Sequence, residues 1–281
     1  MTIAYINGSY NQEDSGSGQT SIAAASLSIT TGNAIVIGVY TYSADPATPT
    51  DTAENIFTKL GTYLDASNRR LSIWLALNVI GNAANVVTST FASSNYPRIM
   101  VMQLSGVGSW DTSFSPDGNS DASSPYTSTA DSTQSDGEWI VGIFDCAGNG
   151  PYTDYGSSVV RVNTAGAWYD ACLATALVST AGSASVQVGG TGVTTAYIYA
   201  KALKPAASIE QEGFRPRNDD GTEATATWKA NQDTNITLAA DTAFRLRFLL
   251  KATGNPDSID AQAEARVKPS GGAFGAWEKI N

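Results

Sequence analysis

Short runs of β-branched and aromatic residues, separated by turn-forming loops, constrain the fold of this chain more than any other feature. The run Ala34 to Tyr42 is long enough for a buried strand, and Arg70 to Asn78 alternates so that its aliphatic residues share one face. Five more runs predict strands: Arg98 to Leu104, Glu138 to Phe144, Ala171 to Val178, Ala184 to Val188 and Thr195 to Leu203. A helical pattern occurs only over Asp51 to Leu64, where Gly61 opposes a long helix. Strands without intervening helices form antiparallel sheets, so the predicted fold class is all-β.

A turn-rich boundary at residues 204–207 divides the predicted strands into two sets. We predict a large antiparallel jelly-roll-like β-sandwich over residues 1–204 and a smaller Ig-like β-sandwich over residues 207–281. In the second domain, Phe244 to Leu250 alternates apolar residues with Arg245 and Arg247, which predicts a half-buried strand. The larger domain holds 7 of the 16 basic and 15 of the 26 acidic residues, so it carries −8 of the net charge of −10.

The composition removes several classes of function. The chain has no histidine, which excludes His-dependent nucleophile triads and metal sites built on imidazole. Its net charge of −10 disfavours nucleic acid and anionic membranes as partners. Apolar runs fall far short of the ~20 residues that span a bilayer, and the N-terminus lacks signal-peptide features, so we expect folding in a cytoplasm. Cys146 and Cys172 are predicted to be free, buried thiols.

The longest polar stretch, Ser109 to Asp136, is predicted to be a functional loop, with an edge strand of low hydrophobicity as the alternative. Its segment Asp117 to Asp121 has oxygen ligands at alternating positions that suit Ca²⁺, although turn-forming residues of a solvated loop have the same composition. Acid pairs for glycoside cleavage are weaker candidates there, because no pair stands out. We therefore predict neither a cofactor nor a catalytic residue.

Two sets of residues are candidates for contacts with partners. Aromatic residues in polar segments suit either a glycan platform or, preferably, contacts with neighbouring copies: Trp110, Tyr126, Tyr152 and Tyr155. Basic residues in the acidic chain suit an interface with an acidic surface, namely Arg245, Arg247, Arg266 and Lys268. The alternative for the basic set is pairing within the domain, with Glu264, Glu278 and Asp260. Trp74, Trp139, Trp228 and Trp277 lie in apolar runs and are predicted to be core residues.

Two parts of the chain resemble proteins of tailed-phage particles. The order of Ile22 to Ile29, Gly32 to Ile37, Leu71 to Asn78 and Ile99 to Gly106 resembles a β-sandwich module of phage virion, prophage and bacterial surface proteins. The tail resembles a recurrent C-terminal β-domain of phage and prophage structural proteins. Its matching segments are 211–215, 217–223, 227–228, 233–236 and 245–248, and Pro216 stands where an aromatic residue is common.

The resemblance implies a structural role on the outside of a tailed-phage virion, as a capsid decoration or head-fibre protein, and no enzymatic activity. The expected partners are the major capsid protein or other virion proteins, and copies of the chain itself, a trimer being one option. We expect assembly in the host cytoplasm, and neither a nucleic acid nor a membrane as partner. The alternative is a tail-fibre or receptor-binding adhesin that recognises a host glycan. A polysaccharide depolymerase is the weakest of the three.

Overall fold

The computed structural model describes residues 2–14, 16, 18–147, 151–164, 170–220, 222, 225–237, 244–253, 264–265 and 278–279. Every regular element within these residues is a β-strand, which confirms the all-β fold class. Over the same residues, no helix has the length and apolar character needed to cross a membrane.

The first hundred residues form one sandwich of antiparallel strands. An inner sheet has the order β1-β10-β4-β7-β6, and an outer sheet has the order β2-β9-β5, extended by the ladder β3-β8. The strands are β1 (Ala4–Gln12), β2 (Gln19–Ala23), β3 (Leu27–Ile29), β4 (Ala34–Tyr42), β5 (Thr50–Asp51), β6 (Thr58–Leu64), β7 (Arg69–Ala76), β8 (Asn82–Asn85), β9 (Val87–Ser94) and β10 (Arg98–Ser105).

The next hundred residues form a second sandwich. Its inner sheet has the order β11-β21-β15-β18-β17, with β12 also paired to β21, and its outer ladders are β13-β20-β16 and β14-β19. The strands are β11 (Val107–Trp110), β12 (Asn119–Asp121), β13 (Tyr126–Thr127), β14 (Asp131–Ser132), β15 (Glu138–Ala147), β16 (Tyr152–Thr153), β17 (Ser158–Asn163), β18 (Ala171–Val178), β19 (Ser183–Ala184), β20 (Gln187–Gly190) and β21 (Thr195–Pro205).

The two sandwiches repeat one topology. In each, the first long strand pairs with the last, and the following strands pair in nested order toward the middle, as in a jelly roll. A register shift interrupts the first strand of each inner sheet, between Tyr5 and Asn7 and between Val107 and Ser109. Each inner sheet has a second register shift in an edge strand, which is β6 in the first sandwich and β17 in the second. The predicted sandwich class is confirmed, but residues 1–204 form two sandwiches with this strand order and not the single large one that was predicted.

The two inner sheets pack face to face, so the sandwiches share a central core. Its side chains alternate along strands of both sheets and include Leu71, Ile73, Met100 and Met102 on one side and Trp139, Val141, Ile143 and Leu173 on the other. Gly38 in β4 faces Leu173 and Ile143, where a Cβ atom would meet Leu173 at 2.8 Å. Separate cores lie between each inner sheet and its outer ladders. The result is four layers of β-structure.

One end of the central core is polar. Arg98 of β10 and Asp145 of β15 are both buried, and Nη1 of Arg98 lies 3.6 Å from Oδ1 of Asp145. Nη1 also donates a 2.7 Å hydrogen bond to the carbonyl oxygen of Tyr96. Burial raises the pKa of Asp145 to about 7, although the charges of Arg98 and Arg69 oppose the rise. The pair therefore links the two sandwiches at a cost in desolvation.

Most predicted strands are confirmed, and the one segment with a helix-like pattern forms no helix. The bounds of β4 and β18 equal the predicted ones, and β7, β10, β15 and β21 differ by one to three residues at an end. Residues 51–64 contain β5 and β6 instead of a helix. The carboxylate of Asp51 accepts hydrogen bonds from the backbone and side-chain nitrogens of Asn55, which fixes a turn between the two strands.

In the C-terminal part, β22 (Ser208–Asn218) pairs with β23 (Phe244–Thr253), and β24 (Glu264–Ala265) pairs with β25 (Glu278–Lys279). Residues 206–207 separate β21 from β22, at the predicted boundary. The independent folding of residues 207–281 as an Ig-like sandwich stays a prediction, because most of residues 254–281 lie outside the described part.

We expect Leu173→Ala to lower the free energy of unfolding by about 2–5 kcal/mol, because it opens a cavity in the shared core. Leu177→Ala in the same strand is the matched control, since Leu177 is exposed. It should change stability by less than about 0.5 kcal/mol. Urea unfolding of both variants measures the difference. The two sandwiches should unfold together in one transition that shifts as a whole, and separate transitions of the two sandwiches, of which only one shifts, would contradict a shared core.

The stability of the folded chain should also fall as pH rises from about 4 to 7, because folded Asp145 keeps a proton that the unfolded chain releases in this range. One such proton corresponds to about 1.4 kcal/mol per pH unit. Asp145→Asn should remove this component, which urea unfolding of both proteins at pH 5 and pH 8 measures. Burial also raises the pKa of Glu138, but this residue is present in the parent and in the Asp145→Asn variant, so its effect cancels in the comparison. An identical pH dependence in the two would contradict the assignment to Asp145.

Candidate functional site

The hairpin of β22 and β23 has two chemically different faces. Its register places Arg215 opposite Arg247 and Arg217 opposite Arg245, so four arginines share one face. On the other face, Phe214 lies opposite Phe248 and Pro216 opposite Leu246. We name these the arginine face and the apolar face.

The arginine face places like charges directly across the ladder, an arrangement that is unfavourable unless other groups offset it. The guanidinium carbons of Arg215 and Arg217 lie 4.1 Å and 4.7 Å from the ring centroid of Trp228. Nε of Arg245 lies 2.7 Å from Oδ1 of Asp219 in an exposed ion pair. Arg217 is buried and donates from Nη2 to the carbonyl oxygen of Ala226 at 2.7 Å. These contacts fix the arginines in one layer.

The apolar face is open to solvent along β23, whereas Pro216 of β22 is buried. Phe244, Leu246 and Phe248 are each about 40% exposed, at 41%, 43% and 40%. The predicted strand over residues 244–250 is confirmed, but its predicted half-burial is wrong, because the described residues place no packed layer over these side chains. Residues 227–229 pair with the other edge of β22, through backbone bonds from Asn218 to Thr227 and from Lys229 to Pro216. Among the described residues β23 pairs with β22 alone, and so small a sheet is marginally stable in water without further packing. The apolar face is therefore a candidate interface.

Of the four basic residues that were predicted to form an interface, the structure describes two. The structure brings Arg245 and Arg247 onto one face, whereas Arg266 and Lys268 lie outside the described residues. Arg245 pairs with Asp219, a partner that the sequence analysis did not propose. Arg215 and Arg217 were missed. The sequence carries the signal, because Arg215-Pro216-Arg217 has the same spacing as Arg245-Leu246-Arg247, and in a strand such spacing places both arginines of each tripeptide on one face.

The predicted exposed aromatic contacts are mostly wrong. Tyr126 and Tyr152 are buried between the inner sheet and outer ladders of the second sandwich, with their ring centroids 6.2 Å apart at an angle of 88°. The hydroxyl of Tyr126 donates to the carbonyl oxygen of Val193 at 2.8 Å. Trp110 is half-buried against the central core. Tyr155 is 43% exposed, so it alone of the four has the predicted exposure.

The predicted core tryptophans divide three ways. Trp74 and Trp139 are buried, as predicted, in the outer core of the first sandwich and in the central core. Trp228 is 39% exposed and stacks on the arginines, so its prediction as a core residue is wrong. Trp277 lies outside the described residues.

The polar stretch 109–136 contains the short strands β12, β13 and β14, so it is neither a free loop nor one continuous edge strand. Its carboxylates serve the backbone: those of Asp111, Asp121 and Asp131 accept hydrogen bonds from the amides of Ser113, Thr127 and Ser115. Burial opposes ionisation of Asp111, but hydrogen bonds from Ser113 and Gln134 and the charge of Lys204 lower its pKa. No group of three or more Cys, Asp or Glu in the described chain is arranged to hold a metal ion.

No protein-family model, curated protein or solved structure matches this chain significantly. Any function must therefore be argued from its own sequence and surfaces.

Cys146 and Cys172 are free and buried, as predicted. Burial raises the pKa of Cys146 to about 11 and that of Cys172 well above its ordinary value. Because the thiolate is the reactive form, we expect almost no reaction of the native protein with a thiol reagent such as DTNB at pH 8. Two thiols should react per chain after unfolding without reductant. Fewer than two would indicate a disulfide, and fast reaction of the native protein would contradict the burial.

Proposed function

We propose that this protein is a structural component on the exterior of a tailed-phage virion, most simply a capsid decoration or head-fibre protein. The hairpin carries the proposal, because it combines a solvent-open apolar face with a layer of four arginines at the end of an acidic chain. Apolar side chains clustered on a surface typically mark a contact with another protein. The resemblance of both chain segments to phage structural modules supports the choice of a virion as the setting.

In the proposed arrangement, the paired jelly rolls form the body, and the hairpin forms the contact. The body holds −8 of the net charge of −10, so its surface is acidic. An arginine layer of opposite sign suits the acidic body of a neighbouring copy or an acidic patch of the capsid shell. The apolar face then supplies area that is removed from water in the contact. The expected partners are the major capsid protein or other virion proteins, and copies of the chain in a homo-oligomer, such as a trimer.

The second candidate is a tail-fibre or receptor-binding adhesin. Copy number distinguishes the two functions: a decoration protein is present in hundreds of copies per particle, and a tail-tip protein in a few. Quantitative mass spectrometry of purified particles of the phage that encodes this chain measures that number. Absence of the chain from purified particles would overturn both candidates.

We expect the double variant Arg245→Glu, Arg247→Glu to reduce the occupancy of particles by at least about tenfold, which corresponds to about 1.4 kcal/mol. The isolated fold should be little affected, since an exposed ion pair such as Arg245–Asp219 contributes only about 0.2–1 kcal/mol. The matched control is Lys59→Glu, Arg70→Glu, which changes net charge equally but lies on the first sandwich. Occupancy is measured by adding purified variants to particles that lack the protein.

Equal loss in both double variants would show that net charge, rather than the arginine face, governs attachment. Full occupancy with the folded hairpin variant would contradict an arginine interface. Phe248→Ser tests the apolar face separately and should also reduce occupancy. Thermal unfolding of every variant shows whether a loss arises from misfolding.

A further inference from the structure

A cavity of about 300 Å³ opens at the polar end of the central core. It is lined by Tyr40 and Tyr42 at the end of β4, Arg69 at the start of β7, and Asn95 and Tyr96 in the turn before β10. Tyr42 and Arg69 lie directly opposite each other in the inner sheet. Three aromatic rings, one guanidinium and one amide thus surround a space at the lower end of the ~300–1,000 Å³ typical of small-molecule sites.

The walls of this cavity are held in place by specific contacts. The guanidinium carbon of Arg69 lies 4.2 Å from the ring centroid of Tyr197, in the neighbouring sandwich. The backbone nitrogen of Arg69 donates to Oδ1 of Asp65 at 2.7 Å, and that of Tyr42 donates to Oγ of Ser94 at 2.8 Å. Tyr96 has a φ of 52°, which is uncommon for an aromatic residue, and its carbonyl oxygen accepts from buried Arg98. A site held in this way loses little conformational entropy when a ligand binds.

The charges around the cavity balance. Two carboxylates lie beside the two arginines: Oδ1 of Asp65 accepts from the backbone nitrogen of Arg69, and Oδ1 of Asp14 is 4.0 Å from Nη2 of Arg98. Burial raises the pKa of Tyr40 well above its ordinary value, so its phenol stays protonated. The cavity therefore offers hydrogen-bond donors without a net positive charge, which disfavours both anionic and strongly cationic ligands.

We propose that this cavity binds a neutral saccharide of one or two pyranose rings. A sugar combines apolar C–H faces, which pack on aromatic rings, with hydroxyl groups that both donate and accept hydrogen bonds. Tyr42 is 38% exposed and supplies a ring for such packing. Arg69 supplies a donor, and the side-chain amide of Asn95 supplies both a donor and an acceptor. A purely apolar ligand would leave these polar groups without partners.

The saccharide site goes beyond the proposed structural role and does not depend on it, because the cavity lies in the body and the arginine face lies in the hairpin. Sugar binding with unchanged particle attachment, or the reverse, distinguishes the two proposals. A virion protein with this site could hold host or environmental glycans while the hairpin keeps it on the particle.

The test is saturation-transfer NMR of the full chain with four probes: the methyl glycosides of glucose, galactose, mannose and N-acetylglucosamine. With each probe at about 10 mM, at least one should receive saturation transfer from the protein. A titration of that probe should give a Kd on the order of 1 mM. Tyr42→Ala should weaken binding at least tenfold, whereas Tyr42→Phe keeps the ring and should retain binding. Tyr155→Ala is the matched control, since Tyr155 is similarly exposed but lies in the second sandwich.

Transfer to none of the four probes would overturn the proposal. Binding that survives Tyr42→Ala, or that Tyr155→Ala removes, would place a sugar site elsewhere and equally overturn this assignment. Because Tyr42 ends a strand, the thermal unfolding of each variant is compared with that of the parent. If Tyr42→Ala does not fold, loss of binding in Asn95→Ala, which leaves the strand intact, takes its place as the expected result.

Discussion

The face-to-face packing of the two inner sheets is the interaction on which the rest of this structure depends. Each inner sheet is covered on both sides, by the other inner sheet and by its own outer ladders. Strands in such a position need apolar residues on both faces, and β4 is accordingly buried at eight of its nine residues. The outer strands each cover one face of an inner sheet, so the four-layer order follows from the central contact.

The same apolar runs explain how much of the fold the sequence predicts. The doubly covered strands β4, β7, β10, β15, β18 and β21 are found from hydrophobicity and β-branching alone, since both of their faces carry the signal. Most of the short outer strands were missed or taken for a loop, because pairs such as Tyr126–Thr127 carry almost no periodicity. The predicted run Ala184 to Val188 covers parts of two of them, β19 and β20. The repeat of the jelly roll was also missed. The two jelly rolls are alike in strand order and in the position of their register shifts. Strands at equivalent places differ in length and composition, such as β1 with nine residues and β11 with four.

The candidate sites show the corresponding limits. The alternation in Phe244 to Leu250 correctly predicted that Arg245 and Arg247 share one face, because strand geometry places every second residue on the same side. Exposure could not be predicted in the same way, since it depends on what covers each face. Polar surroundings suggested that Tyr126 and Tyr152 face solvent, yet the ladders that carry them fold over an inner sheet. The cavity of the proposed saccharide site is lined by residues 40, 42, 69, 95 and 96, which are brought together by the sheet register.

The nested pairing of strands has a consequence for the order in which this chain can fold during synthesis. β1 pairs with β10, and the partners Ala4 and Ser105 are about a hundred residues apart, so the first sandwich cannot close until its last strand has left the ribosome. Its central face then stays uncovered until the second sandwich, about another hundred residues, has also been made. At about 5–20 residues per second, translation of those hundred residues takes about 5–20 s. Leu71, Ile73, Met100 and Met102 remain without their partner sheet for that period. Chaperones that bind apolar surface therefore have their clearest target in a half-made chain, and the exposure ends when the second jelly roll covers that face.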